Sequence, residues 1–149
     1  MTMREIKFRG KAIRDDDCPN RVTVGDWMYG FVIVTKENAY IESTDQDWMP
    51  TITVDKNTIG QYTGMKDDSD KPVEIYEGDV VELTFTETYT NSDSLFEFIP
   101  GASIRGDVIF AGYTWYVDLP GCWVPFSDIQ SEEIGIKVIG NIHERGGDE

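Results

Sequence analysis

The sequence predicts a mainly β fold with little helix, a small barrel or sandwich of short strands. Three observations carry this. Runs rich in Val, Ile, Thr, Tyr, Phe and Trp recur along the chain, and glycine- or proline-bearing turns separate them. No apolar period of 3.6 residues persists beyond about two turns. Alternating segments of this kind bury one face each and must pair with one another.

Taken in chain order, REIKFRGKA (4–12) alternates polar residues with Ile6 and Phe8, a short strand pattern that ends at Gly10. DDDCPNR (15–21) is a polar loop. In residues 26–43, DWMYGFVIVTKENAYIES, the Lys36–Asn38 turn sets Phe31–Thr35 against Ala39–Ser43 as a hairpin. TDQDWMP (44–50) is loop again, TITVD (51–55) a strand, and NTIGQYTGM (57–65) is punctuated by two glycines. KDDSDKPV (66–73) is a turn, because Asp and Ser side chains bond nearby backbone and Pro72 blocks helix and central strand alike. EIYEGDVVELTFTETY (74–89) supplies a longer alternating strand from Val80, and TNSDSLFEFIPG (90–101) an excursion with a short helical or irregular turn. RGDVIFAG (105–112), YTWYVDL (113–119) and GIKVIGNIHE (135–144) are three further strands, with PGCWVPFSDIQSEE (120–133) as a tryptophan-bearing loop and GGDE as a frayed tail. The turn-rich stretch at 58–71 divides an amino-terminal hairpin region, 1–58, from a carboxy-terminal barrel, 59–149.

With 149 residues, 40% of them hydrophobic, the chain can bury a core, and it reads as globular. Its formal net charge of −15 repels polyanions, which argues against general nucleic-acid binding. The charge is uneven. Residues 4–14 carry five basic side chains and one acidic, whereas from Pro72 to Ile136 Arg105 is the only base among twelve acids. Cys18 and Cys122 lie in no metal-spaced pattern, the amino terminus lacks an apolar run, and no stretch approaches membrane-spanning length. A cytoplasmic protein with two free thiols is the expectation.

Glu77–Gly78–Asp79 precedes a hydrophobic alternation. Glycine adopts positive φ cheaply and Asp79 can accept a backbone N–H to pin the turn, so Val81 and Leu83 share one strand face with Val80 and Glu82 on the other. This Gly-Asp-x-Val pattern is common at strand starts in SH3-like barrels. REIKFRGK, TIGQYTGMKD, EIYEGDVV and KVIGNIHE follow one another in that order, and together they resemble the YopX-like family of small bacteriophage and prophage proteins. The resemblance covers nearly the whole chain. It implies an intracellular phage protein whose carboxy-terminal part is an SH3-type barrel, and it implies no established activity or catalytic residues. Gln61, Tyr62, Thr63, Gly64, Glu77, Gly78 and Asp79 are then structural signature positions. The chain departs from the pattern at Asp68–Val73, where a shorter Asn-Gly type turn is typical, and at the longer segment SLFEFIPGAS.

No catalytic set is present. His143 is the only histidine, and it has no patterned nucleophile or orienting partner. Three Cys/His residues without spacing make a poor zinc site. The acidic clusters Asp15–Asp17 and Asp67–Asp70 fail the EF-hand pattern, since Pro72 and Val73 take the fifth and sixth places counted from Asp68. Dispersed carboxylates such as Glu77, Asp79 and Asp107 leave no spacing by which a Mg²⁺ site would be read. No cofactor or metal is expected.

The aromatics are the more informative set. Most rings belong in the core, but Trp115 and Tyr116 point to opposite faces of a strand and Trp123 lies in a proline-bounded loop, so Trp115, Tyr116 and Trp123 form a candidate interaction surface. The leading expectation is a protein-interaction module, a homo-oligomer that binds a host or phage protein. The alternative is an acidic nucleic-acid mimic that inhibits a host DNA-binding enzyme. A third reading, nucleic-acid binding through residues 4–14, requires those basic side chains exposed on one face.

Overall fold

The computed structural model describes residues 6–14, 22–43, 51–90, 97–129 and 133–144. Cys18, Trp48, Asp15–Asp17 and Arg4 lie outside them, as does the middle of the 90–101 excursion. The chain divides into two compact units, Met1–Gly64 and Met65–Glu149.

In the first unit, β1 (Phe8–Lys11), β2 (Trp27–Val34), β3 (Ala39–Ser43), β4 (Ile52–Val54) and the start of β5 (Gly60–Lys66) form an antiparallel sheet in the order β4-β3-β2-β1-β5. The β2–β3 hairpin closes where the sequence places it. The Thr35 N–H donates to Asn38 O at 2.8 Å across the turn, and the Thr35 hydroxyl accepts the Asn38 N–H at 3.0 Å. The inward row from β1 packs with Met28, Ala39, Ile41, Ile52 and Val54 around Ala12, with Phe8 against them. Gly10 belongs to this row because a Cβ there would stand 3.0 Å from Val54 Cγ2. A 3-10 turn at Lys56–Thr58 follows β4. The Asp55 carboxylate accepts the Asn57 N–H at its start, and the Thr58 hydroxyl accepts the Lys11 N–H at 2.8 Å.

The second unit contains β6 (Glu74–Tyr76), β7 (Asp79–Phe85), β8 (Tyr89–Thr90), β9 (Glu97–Phe98), β10 (Ser103–Ala111), β11 (Thr114–Leu119), β12 (Cys122–Pro125), the short helix α1 (Phe126–Ile129) and β13 (Ile134–Asn141). Five of these strands make one antiparallel sheet, ordered β12-β11-β10-β7-β13. Alternation decides its buried face: Val81, Leu83, Phe85, Val108, Trp115, Val117, Val124, Ile134 and Ile136 point into one core. Phe98 stacks on Phe85 at 4.7 Å, so the β8–β9 pair covers one end of that core.

The mainly β class with little helix holds, but two expectations change. The carboxy-terminal sheet has two edges, β12 and β13, instead of closing into a barrel, and its SH3 likeness is not confirmed. Residues 120–133 are also more than a loop. Gly121 adopts φ 97° after Pro120, which turns the chain tightly enough for Cys122–Pro125 to pair with β11, and Phe126–Ile129 then forms a helical turn with Phe126 and Ile129 buried.

Gly106 is closely packed on the inner face of β10. A Cβ there would lie 2.6 Å from the Asp118 carbonyl oxygen and 2.7 Å from Val117 Cγ1. Gly106→Ala is therefore expected to destabilise the protein by about 1–3 kcal/mol through overpacking. Urea denaturation reads this as a lower midpoint at unchanged m-value, and an unchanged midpoint would contradict it.

Candidate interaction surface

The Pro120–Gly121 turn sets the register of β11 against β12, placing Asp118 opposite Trp123 and Tyr116 opposite Pro125. On the other side of β11, Asp118 stands opposite Asp107 and Tyr116 opposite Ile109. Asp107, Asp118 and Trp123 thus form a row across the outer face of the sheet, with Tyr116 in the next row. The Tyr116 and Trp123 rings lie 5.5 Å apart, and Trp123 is 49% exposed. Trp115 takes no part in this surface. Its ring is 5% exposed in the core, edge-on to Phe110 at 4.8 Å. Of the three aromatics singled out in the sequence, the structure brings two together and sends one inward.

Asp107 and Asp118 carried no signal of their own in the sequence. The turn at Pro120–Gly121 was the available clue, because a two-residue connection fixes which residues face each other across it. In the adjacent row the carboxylate of Glu82 faces Arg105 at 4.0 Å, and Lys137 pairs with Glu82 in register from β13. That end of the face is therefore mixed in charge, while the aromatic end is acidic.

The signature residues have the following places in the fold. The Tyr62 N–H donates to Lys7 O at 2.9 Å, Tyr62 and Thr63 are buried, and Gln61 sits opposite Phe8. Gly64 and Gly78 adopt φ of 87° and 91°. At Glu77–Gly78 the turn is pinned as the sequence suggests, with the buried Asp79 carboxylate accepting the Tyr76 N–H at 2.8 Å. Gly78 also donates to Val108 O and accepts from the Ile142 N–H, so this turn joins β10 to the end of β13.

The acidic cluster at 67–70 likewise serves the fold. Asp67 Oδ1 accepts the Ser69 hydroxyl at 2.7 Å and the Val73 N–H at 2.9 Å, and Oδ2 accepts the Val138 N–H at 3.0 Å. Asp68 Oδ2 accepts the Ile136 N–H at 3.0 Å. Among the described residues, no three His, Cys, Asp or Glu side chains gather where they could hold a metal ion. His143 lies in the turn after β13, its N–H donating to Asn141 Oδ1.

Other surfaces are less specific. Lys7, Arg9 and Lys11 do share one face of β1, but Arg9 is buried, with its guanidinium 4.3 Å from the Trp27 ring, and Lys7 lies over Tyr62. These bases are engaged by rings of their own unit and do not form an open phosphate-binding strip. Tyr29, Phe31 and Ile33 of β2 are exposed in alternation, an apolar row without a group that would select one partner over another. A shallow depression of about 310 Å³ beside the 3-10 turn is lined by Ile13, Glu37, Asn38, Asp55, Lys56 and Asn57. Asp55 there already caps the turn, and Lys56 already donates to Lys36 O at 3.0 Å.

The molecule is thus an acidic, mainly β protein of two sheet-bearing units, with an aromatic and carboxylate-lined patch on the outer face of the second. The model of the YopX protein family matches residues 11–146, and the chain belongs to the YopX family. No curated protein and no solved structure gives a significant match.

Asp67 supplies a pH test of this local structure. Burial alone would raise its pKa, but the Ser69 hydroxyl and the N–H groups of Val138, Val73 and Ser69 outweigh that and hold it below the ordinary 3.8. A folded pKa below the unfolded one gives stability that is complete above the unfolded value and is lost as pH falls through the folded value. Asp67→Asn turns one acceptor into a donor facing an N–H group and is expected to cost about 1–3 kcal/mol at neutral pH. The gap between wild type and variant should narrow below about pH 4. Denaturation midpoints at a series of pH values check this, and a gap that stays constant down to pH 3 would refute it.

Proposed function

We propose that this YopX-family chain is a protein-interaction module rather than an enzyme, phage-encoded and acting in the host cytoplasm on a host or phage protein. The observation that supports this reading is the Tyr116–Trp123 ring pair on an open sheet face, with Trp123 half exposed beside Asp118. Tryptophan and tyrosine are the side chains most often responsible for binding energy at interfaces, since each presents a large rigid area at small entropy cost. Carboxylates around such a pair steer an oppositely charged partner and set its orientation.

A second reading has its own support in the distribution of charge. Met1–Gly64 holds eight basic and ten acidic residues, whereas Met65–Glu149 holds five basic and eighteen acidic. A unit so negative could occupy the phosphate-binding surface of a DNA-binding enzyme as a mimic. The two readings respond differently to salt. Charge-dominated binding weakens steeply as exposed charges are screened, and ring-anchored binding weakens only modestly.

Capture from host lysate with tagged wild type and Trp123→Ala, at low salt and near 1 M, separates them. The module reading expects a partner that is retained at high salt by wild type and lost by the variant, a loss of about tenfold or more in recovery. Capture indifferent to Trp123 and abolished by salt would move the function to the acidic surface.

A further inference from the structure

We propose that the outer face of β2 is the contact surface of a homodimer, laid against the same face of a second copy about a twofold axis that runs along the strand. The inference is independent of the Tyr116–Trp123 surface. β2 reads WMYGFVIV, eight residues without a charged side chain. An antiparallel strand with one face in water alternates apolar and polar residues, whereas a run that is apolar on both faces belongs between two layers. Met28 and Val32 supply the first layer by packing into the core of their unit. Tyr29, Phe31 and Ile33 point the other way, Phe31 54% and Ile33 43% exposed. Tyr40 of β3 stands opposite Ile33 and widens this apolar row.

Charge makes a second copy the occupant. At a net charge of −15 the protein repels its own copies, and Met1–Gly64, with eight basic and ten acidic residues, is the unit on which two of them meet with least repulsion. The charges around the row are also self-complementary. Glu42 of β3 is exposed and stands opposite Phe31 on one side of β2. On the other side, Lys7 shares a face with Arg9, which stands opposite Tyr29. Lys7 directly precedes Phe8, the partner of Gly30, so it comes level with Phe31 and Glu42. A twofold axis along β2 lays the β1 side of one copy over the β3 side of the other. Each Phe31 then meets its counterpart, and each Glu42 meets Lys7 of the other copy. The Lys7 ammonium lies 5.3 Å from the Tyr62 ring, which is compatible with this contact because an ammonium carries three N–H groups. A foreign partner would have to be told from others by a selecting group. An isologous contact needs self-complementarity alone, and this row provides it.

Sedimentation equilibrium of the full chain tests this. Between about 1 and 100 μM, the range in which small interfaces associate, the mass is expected to rise from one chain towards two. Phe31→Glu sets two carboxylates against each other across the axis and should weaken the dimer about tenfold or more. Glu42→Lys sets lysine against lysine and should weaken it about fivefold. Adding Lys7→Glu to Glu42→Lys restores the opposite pairing and should recover most of that loss. Trp123→Ala, on the other sheet, should leave the dimer unchanged. Urea midpoints taken at about 1 μM, where wild type and variants are monomeric, show that the variants fold. A wild type that stays monomeric to about 100 μM overturns the proposal. So does a dimer indifferent to Phe31→Glu or Glu42→Lys, or a double variant no tighter than Glu42→Lys alone. A monomer that captures another protein through Phe31 overturns it too, because the face would then belong to that protein. A dimer dissociated by Trp123→Ala and not by Phe31→Glu moves the contact to the second sheet, which also overturns it.

Discussion

The outward edge of β13 is where the second unit is secured. An edge strand leaves alternate N–H groups without a neighbouring strand, and in β13 those of Ile136 and Val138 donate to the carboxylates of Asp68 and Asp67. Asp68 adds its own N–H to Ile136 O at 2.9 Å, so a two-residue stretch imitates a strand without extending the sheet. The same Asp67 gathers the turn behind it through Ser69 and Val73. With this edge held, β13 stays in register on β7, and Ile134 and Ile136 stay in the core.

The other edge is closed differently. β12 has four residues, follows the Pro120–Gly121 turn and ends in Pro125, which has no N–H to offer. Neither edge invites an added strand. The rings and carboxylates of the outer face lie at the β12 end, away from the edge held by Asp67 and Asp68. A structural cluster of acids and a candidate binding cluster of acids therefore coexist in one unit. Asp67 accepts from four groups, which ties the first of these clusters to the fold.

Much of the fold was legible in local chemistry. Thr35 and Asn38 close a hairpin by short-range bonds, Asp79 and Gly78 make a turn that any chain with those residues can make, and β7 reads directly from its alternation. β12 was not legible, because a four-residue strand bounded by prolines has no pattern long enough to separate from loop. The candidate site was half legible. Alternation guaranteed that Trp115 and Tyr116 part company across the sheet, but which ring is buried depends on the phase of β11 against the core.

By itself the sequence determined the family, the β class, the hairpin, the pinned turn at Gly78 and the concentration of acid after Pro72. These follow from properties that residues carry wherever they sit: backbone preference, side-chain alternation and charge. Only the tertiary structure decided that the sheet ends on two edges, that Asp67 and Asp68 hold one of them, and that Asp107, Asp118 and Trp123 share a row. Those outcomes depend on strand register between residues far apart in the chain, and register is set by how the whole buried face packs.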